Sequence, residues 1–525
     1  MRLPALVASA ALFASFAMCD AVAQLIDRTQ APNTANEGIV KSYADEIGAG
    51  RGDALTPGSS QFIIERDPFR SIRRGRQLFQ RKFTVAQGLG PRAGDGMGNA
   101  GTNIALGAGL SDSCAACHGR PRGSAGFGGD VATRPDSRDA PHLFGLGLKE
   151  MLADEITTEL RAARTAAIAE AQSRNRNVKK KLRSKGIEYG AITARPDSTV
   201  DTSEVKGVNA DLRVRPFFAH GGKISIREFI DGALNDEMGV QPVDPTLAAA
   251  RAGARMVTPA GMVLDGSKDA LEAPATADPN ADPDHDGVKN EAPESVVDHL
   301  EFYLLNYFKP GTYEQNSRVR LGRRVFEQIG CARCHIADLK IERDRRVADA
   351  ETVFDPEKGI FNGLFATAAL RTNVVADGSG FPAKQQPKLG AFEVENIFTD
   401  FKRHDLGKNF HERNYDGTMQ TEFLTTALWG VGSTPPYGHD GRSINLTEVI
   451  LRHGGEAIEE ASRFEKLGDI LRGTVLEFLN SLIIFPPDDT ASNLNPGNRN
   501  DPNFPQGGHG GIKLPVLFND PADLE

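Results

Sequence analysis

Cys114-Ala115-Ala116-Cys117-His118 and Cys331-Ala332-Arg333-Cys334-His335 are two copies of one pattern, Cys-x-x-Cys-His. The pattern has a mechanical reading. Two thiols three residues apart add across the vinyl groups of a haem, and the adjacent histidine faces the iron as an axial ligand. A single copy would compete with a zinc half-site or a redox dithiol. Two copies that use four of the five cysteines point to two covalently bound haems c, with His118 and His335 as proximal ligands.

The fifth cysteine, Cys19, falls in an N-terminal stretch that reads as a secretory signal. Arg2 supplies the positive start, an apolar run extends from Leu3 to Met18, and Ala21-Val22-Ala23 offers a small-residue cut before Gln24. Removal of residues 1–23 takes Cys19 with it. Export to the periplasm also suits the cysteine pairs, because c-type haems are attached outside the bacterial cytoplasm. The apolar run is short for a membrane span, and no later stretch has 18 consecutive apolar residues, so an integral membrane protein is not expected.

The remaining composition narrows the class. A chain of 525 residues has room for two or three domains. With 39% hydrophobic and 25% charged residues it reads as soluble and globular. A net charge of -9 offers no basic footprint, which argues against nucleic acid as a partner. It would suit a basic redox protein. A homodimer is compatible with the sequence without being required by it.

A repeat precedes the two motifs. Arg74-Gly75-Arg76-Gln77-Leu78-Phe79 resembles Leu321-Gly322-Arg323-Arg324-Val325-Phe326, each on a helix delivering a cysteine pair. In the first copy a glycine-rich insertion, residues 88–110, intervenes. The chain therefore reads as mainly α, with two cytochrome c-like haem domains in tandem and long irregular loops. After the signal come an irregular extension (24–65), an N-terminal haem domain (66–240) and an acidic Pro/Asp-rich linker (241–295). A C-terminal haem domain (296–485) and a turn-rich tail (486–525) follow. Residues 149–185 read as one charged helix with Leu152, Ile156 and Leu160 on a common face, ending in the solvated run Lys179-Lys180-Lys181. Phe464, Leu467, Leu471, Val475, Phe478 and Leu482 follow helical spacing and read as core. No strand pattern is long enough for a large sheet.

Residues 434–457, TPPYGHDGRSINLTEVILRHGGEA, carry a specific resemblance. The run Pro436-Tyr437-Gly438-His439-Asp440-Gly441, followed by Leu446, Glu448 and a candidate ligand before Gly454, resembles the C-terminal half of bacterial di-haem cytochrome c peroxidases. It is closer to the di-haem oxidoreductases described as peroxidases. Ala427-Leu428-Trp429-Gly430, and Arg138-Asp139-Ala140-Pro141 leading into Leu143-Phe144-Gly145-Leu146-Gly147, extend it. The resemblance implies His453 as the sixth ligand of the C-terminal haem, where the peroxidases commonly have methionine. Swapping thioether for imidazole should lower the potential. A plain core or surface histidine is the alternative. The resemblance also implies that His439 lies between the haems and contacts a propionate.

At the first haem the resemblance implies a different state. Residues 119–141 contain no His, Met, Lys or Cys, although many relatives carry a removable histidine ligand in that loop. An open iron is expected, with His142, His220 and Met238 as the remaining closers. Glu237-Met238-Gly239 matches the family's Glu-Met-Gly and marks Glu237 as the distal acid/base; a solvated helix-end glutamate is the competing reading. The family's distal glutamine falls on Phe229, and its inter-haem tryptophan near Ala219, beside Phe218. A phenylalanine at 229 makes the pocket apolar and favours oxygenase-like chemistry, as in the related rubber-cleaving oxygenases.

Asp282, Asp284 and Asp286 alternate before Gly287, with Val288 placed to offer a carbonyl, a pattern that wraps oxygens around Ca²⁺. Loop position 12 is Pro293 rather than glutamate, and an acidic flexible linker is the alternative.

The leading expectation is a periplasmic di-haem peroxidase. A small c-type cytochrome or cupredoxin would deliver electrons to the C-terminal haem, and the N-terminal haem would reduce hydrogen peroxide. The alternatives are an oxygenase or oxidase of an organic or protein substrate, and a non-catalytic di-haem electron-transfer cytochrome.

Overall fold

The computed structural model describes residues 43–84, 87–88, 111–118, 140–307, 311–312, 315–349, 369–370, 372–414 and 417–483. The signal stretch, most of the glycine-rich insertion, the loop after His118 and the C-terminal tail lie outside them.

The repeat seen in the sequence is a repeat of helix pairs. Asp67 caps helix α3 (Pro68–Gln80) by accepting from the Arg70 N–H, and Pro68 occupies the first turn, where a missing N–H costs nothing. Asn316 caps helix α9 (Ser317–Gln328) by accepting from the Arg318 and Val319 N–H groups. Helix α3 packs on α8 (Glu294–Leu305), and α9 packs on a helix spanning Asp469–Asn480. The repeated glycine sits at each crossing. A methyl group on Gly75 would overlap the His299 carbonyl and the Tyr303 Cβ. One on Gly322 would overlap the Thr474 carbonyl and approach the Phe478 Cβ. Only a residue without Cβ lets each pair come this close.

Three cores follow from these pairs. One gathers Leu78, Phe79, Leu143, Phe144 and Ile230 around Val296 of helix α8, with Cys114 and Ala115 packed against it. Another gathers Val325, Phe326, Phe398, Phe464, Val475 and Phe478, with Cys331 and Ala332 against it. Each motif therefore has its own apolar bed. The third core belongs to both halves. It is built on helix α5 (Leu146–Arg174) and strands β1 (Val178–Ser184) and β2 (Ile187–Ala194), and takes Leu339, Ile341, Val394, Ile397 and Trp429 from the C-terminal half.

The expected mainly-α tandem cytochrome c-like fold is corrected here. Helix makes up 38% and strand 16% of the structure. One three-stranded sheet and seven two-stranded ones appear among the described residues. The helix expected over 149–185 ends at Arg174, where Asn175 turns left-handed (φ 44°). The lysine run then lies in β1, with Lys179–Lys181 exposed and Val178, Leu182 and Ser184 buried. Three consecutive lysines conceal the alternation that marks a strand. Apart from β1 and the eight-residue β2, the strands have two to four residues, too few for any period to show.

The segment read as a linker contains helix α7 (Pro245–Arg251) and a hairpin, Arg255–Val257 with Val263–Asp265. Leu247, Met262, Leu264 and Leu271 form a small buried cluster there. The helical stripe near the C-terminus is split between Ile458–Glu465 and Asp469–Asn480; Phe464, Val475 and Phe478 are buried, whereas Leu471 is exposed.

In an open helix interior, alanine in place of glycine stabilises by about 1 kcal/mol. At the α9 crossing the sign should reverse. Gly322→Ala is predicted to destabilise by about 1–3 kcal/mol through overpacking. Denaturant unfolding of the two proteins measures the difference.

Candidate haem sites

The first motif forms a short helix, Cys114–His118. The His118 Nδ1 lies 2.7 Å from the Pro141 carbonyl oxygen. Burial pushes the imidazole down to about 4, so it is neutral, with Nδ1–H donating and Nε2 carrying the free lone pair. The second motif opens with a 3₁₀ turn, Cys331–Arg333. There the His335 Nδ1 meets the Phe398 carbonyl at 3.1 Å, and burial again lowers the ring to about 4. An anchored Nδ1 that leaves Nε2 free is the arrangement an axial iron ligand needs. The thiols fit too. Burial raises Cys114 and Cys331 to about 12, and all four cysteines are free of disulfides. The residues present thus suit covalently attached haem at both motifs.

His453 repeats the pattern. Its Nδ1 lies 2.7 Å from the Val449 carbonyl, and burial lowers its pKa. His335 and His453 are close enough to influence each other's charge. Phe410 stands edge-on to the His453 ring, centroids 5.4 Å apart. The HDG turn explains how His453 is placed. Arg452, its chain neighbour, donates to Asp440 at 2.7 Å, to the Ser443 hydroxyl at 2.8 Å and to the Asn409 carbonyl at 3.0 Å. Asp440 is buried, so this ion pair pins the end of helix Leu446–Arg452 and the residue after it. His439 stacks on Phe423, with centroids 4.1 Å apart, and pairs through Nε2 with Glu412 Oε1 at 2.5 Å.

Sequence reasoning missed one cluster beside the second motif. Cys334, Asp400 and His404 converge within 4.8 Å. His404 bridges Asp400 through Nε2 and Glu456 through Nδ1, both at 2.9 Å. Burial opposes its charge, yet hydrogen bonds to Asp400 and Cys334 and the Asp400 charge raise it to about 11. Asp400 and His404 are only four residues apart, but Cys334 and Glu456 come from distant segments, and no motif links the four.

Near the first motif the structure brings several expected residues together. Helix α6 (Ile226–Gly232) leads directly into a π-helical turn, Ala233–Glu237, that ends on the half-buried Glu237. Such turns recur at functional sites. The Met238 Sδ touches the Cys114 Sγ at 3.9 Å, and the Ser111 N–H donates to the Glu237 carbonyl at 3.4 Å. Glu237 is therefore held beside the cysteine pair from both directions. Phe229 packs with Phe217 and Phe218, centroids 6.1 and 5.6 Å apart, against the core that carries Cys114. His220 stacks on Phe218, centroids 6.1 Å apart. His142 directly follows the carbonyl that anchors His118; burial lowers it to about 3. Most of the loop following His118 lies outside the described residues.

In the acidic loop, Asp282, Asp284 and Asp286 each offer a carboxylate oxygen within 4.8 Å of the others. Backbone N–H groups of Asp286, Gly287 and Val288 donate into the same turn.

Residues 336–482 match the family model described as "Di-haem oxidoreductase, putative peroxidase". The match begins just after His335 and includes the HDG turn and His453. No curated protein matches the chain. Among solved structures, the chain is similar to hydrazine synthase of Kuenenia stuttgartiensis, pressurised with 20 bar xenon. Identity is 12% and the TM-score 0.31, over 92% of this chain and 100% of that one. A score that low assigns no shared fold. No helix among the described residues is long and apolar enough to cross a membrane.

His453→Ala should turn the C-terminal haem from low to high spin and leave the N-terminal haem unaffected. Optical and EPR spectra of the oxidised variant decide this; an unchanged low-spin signal would remove His453 from the ligand set.

Proposed function

We propose that the protein is an exported di-haem c-type oxidoreductase that reduces hydrogen peroxide, with electrons relayed from the C-terminal to the N-terminal haem. The observation that carries the reading is the Glu237 backbone lying beside the first motif, held by the Met238–Cys114 contact and by the Ser111 N–H donating to the Glu237 carbonyl. The second motif has a neutral, anchored histidine near its own, which suits relay rather than turnover.

Cys114 and Cys117 would hold one haem with His118 on its iron, and Cys331 and Cys334 the other with His335 and His453. When bound, the haems supply one-electron iron centres. The chain's part in the chemistry is proton handling and exclusion of water. Reduction of H₂O₂ to two waters consumes two electrons and two protons. Glu237 takes a proton from the near oxygen of peroxide and returns it to the leaving oxygen as the O–O bond breaks. Phe217, Phe218 and Phe229 keep the surroundings apolar, which strengthens the interaction of Glu237 with its substrate. Electrons come from a small c-type cytochrome or cupredoxin. The clustered carboxylates of Asp282, Asp284 and Asp286, with the Val288 carbonyl, are proposed to hold Ca²⁺.

The apolar group at Phe229 favours a second reading, oxygenation of an organic substrate at the same centre. Steady-state peroxide consumption with a reduced cytochrome separates the two. Glu237→Gln should lower that rate roughly 10²-fold. A wild-type rate in the variant would exclude Glu237 as the acid/base. Absence of turnover in the wild-type protein would favour the oxygenation reading.

A further inference from the structure

Behind the helix that bears Phe229 lies a buried group of charges that the reaction above does not use. Arg227 is fully buried. It donates to Asp244 at 2.5 Å, Asp298 at 2.9 Å, Glu301 at 3.0 Å and Glu294 at 3.4 Å. Arg51 approaches from the N-terminal segment and donates to Asp298 at 3.2 Å. Hydroxyl groups complete the shell: Ser60 on Asp298 at 2.5 Å, Thr258 on Glu301 at 2.8 Å and Thr246 on Glu294 at 2.6 Å.

A fifth carboxyl, Asp231, sits one helical turn after Arg227 and is 4% exposed. Neither of its oxygens meets an N–H or O–H donor. The neighbouring carboxyl is that of Asp244. The other Asp244 contacts are already made, one oxygen to Arg227 and one to the Leu247 N–H at 2.8 Å. Two carboxylates can share a hydrogen bond only if a proton lies between them. The charge balance agrees. Five carboxylates (Asp231, Asp244, Glu294, Asp298 and Glu301) face Arg227 and Arg51, with Lys223 a further cation that feels the Asp231 charge. An excess of buried negative charge is relieved by neutralising a carboxyl. Burial, and then the Asp244 charge, push Asp231 well above the usual carboxylate range.

Both helices that carry this group also wall the first motif. Helix α6 presents Phe229 to the core holding Cys114, and α8 bears Asp298, Glu301 and Tyr303, the last of which faces Cys114. We propose that Asp231 and Asp244 share one proton, and that this buried acid pair is a proton-binding site whose occupancy follows the electron count of the N-terminal haem. The coupling is electrostatic. An added electron removes positive charge nearby and tightens the proton; an electron lost loosens it. The coupling rests on the reading of Cys114 and Cys117 as a haem site and not on peroxide being the substrate.

Infrared difference spectroscopy between the oxidised and reduced holoprotein at neutral pH is the test. A protonated-carboxyl C=O stretch should shift with redox state and disappear in Asp231→Asn. That variant exchanges a neutral acid for a neutral isostere, so its thermal midpoint should stay near wild type, well above that of Asp244→Asn, which removes an ion-paired carboxylate. Three results would each overturn the proposal: no redox-sensitive C=O band in the wild type, a band that survives Asp231→Asn, or an Asp231→Asn protein as destabilised as Asp244→Asn. Peroxide turnover enters none of these readings, so the catalytic proposal can fail while this one stands.

Discussion

Two close helix crossings, each made through a glycine, organise everything that follows. At Gly75 and Gly322 the partner helix's backbone occupies the space a side chain would need. In the second copy the helix ends at Gln328, three residues before Cys331, so this approach sets where that cysteine pair is presented. Each pair then rests on an apolar bed, one with Phe79 and Phe144, the other with Phe326 and Phe478. Haem attachment at the four thiols, as proposed, would depend on this packing as much as on their spacing.

The shared core makes the two halves one structure. Trp429, among the largest fully buried side chains, belongs to the C-terminal half but packs with helix α5 and strands β1 and β2 of the N-terminal half. Its ring edge lies against Gly145, a few residues beyond the Pro141 carbonyl that holds His118. Leu428, immediately before it, donates its N–H to Ile397, next to the Phe398 carbonyl that holds His335. The segments that orient His118 and His335 are thus tied to one packed centre. Displacement of Trp429 would disturb both.

Much of this was legible because the chemistry is local. A cysteine pair with its histidine is five consecutive residues, and the Arg-Gly repeat announces the helix that precedes it. The stripe through Val475 and Phe478 was likewise visible as a helical face. The sheets were not. Lys179–Lys181 fill the exposed positions of β1 and conceal its alternation, and strands of two or three residues have no period at all. Partnerships between distant segments were equally hidden. Nothing in the sequence pairs His404 with Glu456, or sets Asp231 beside Asp244 behind Arg227, because burial and chain closure over longer range create those contacts. The family match over residues 336–482 agrees with the motif that was easiest to read, the HDG turn and the histidine beyond it.

The two sites look alike in sequence and are unequal in structure. One is flanked by a second anchored, neutral histidine; the other stands beside a glutamate on a π-helical turn and a cluster of phenylalanines. EPR of the fully oxidised resting protein tests this most directly. One low-spin haem with two histidine ligands and one high-spin haem are expected, only the latter changing when peroxide is added. Two low-spin haems indifferent to peroxide would contradict it and leave an electron-transfer cytochrome.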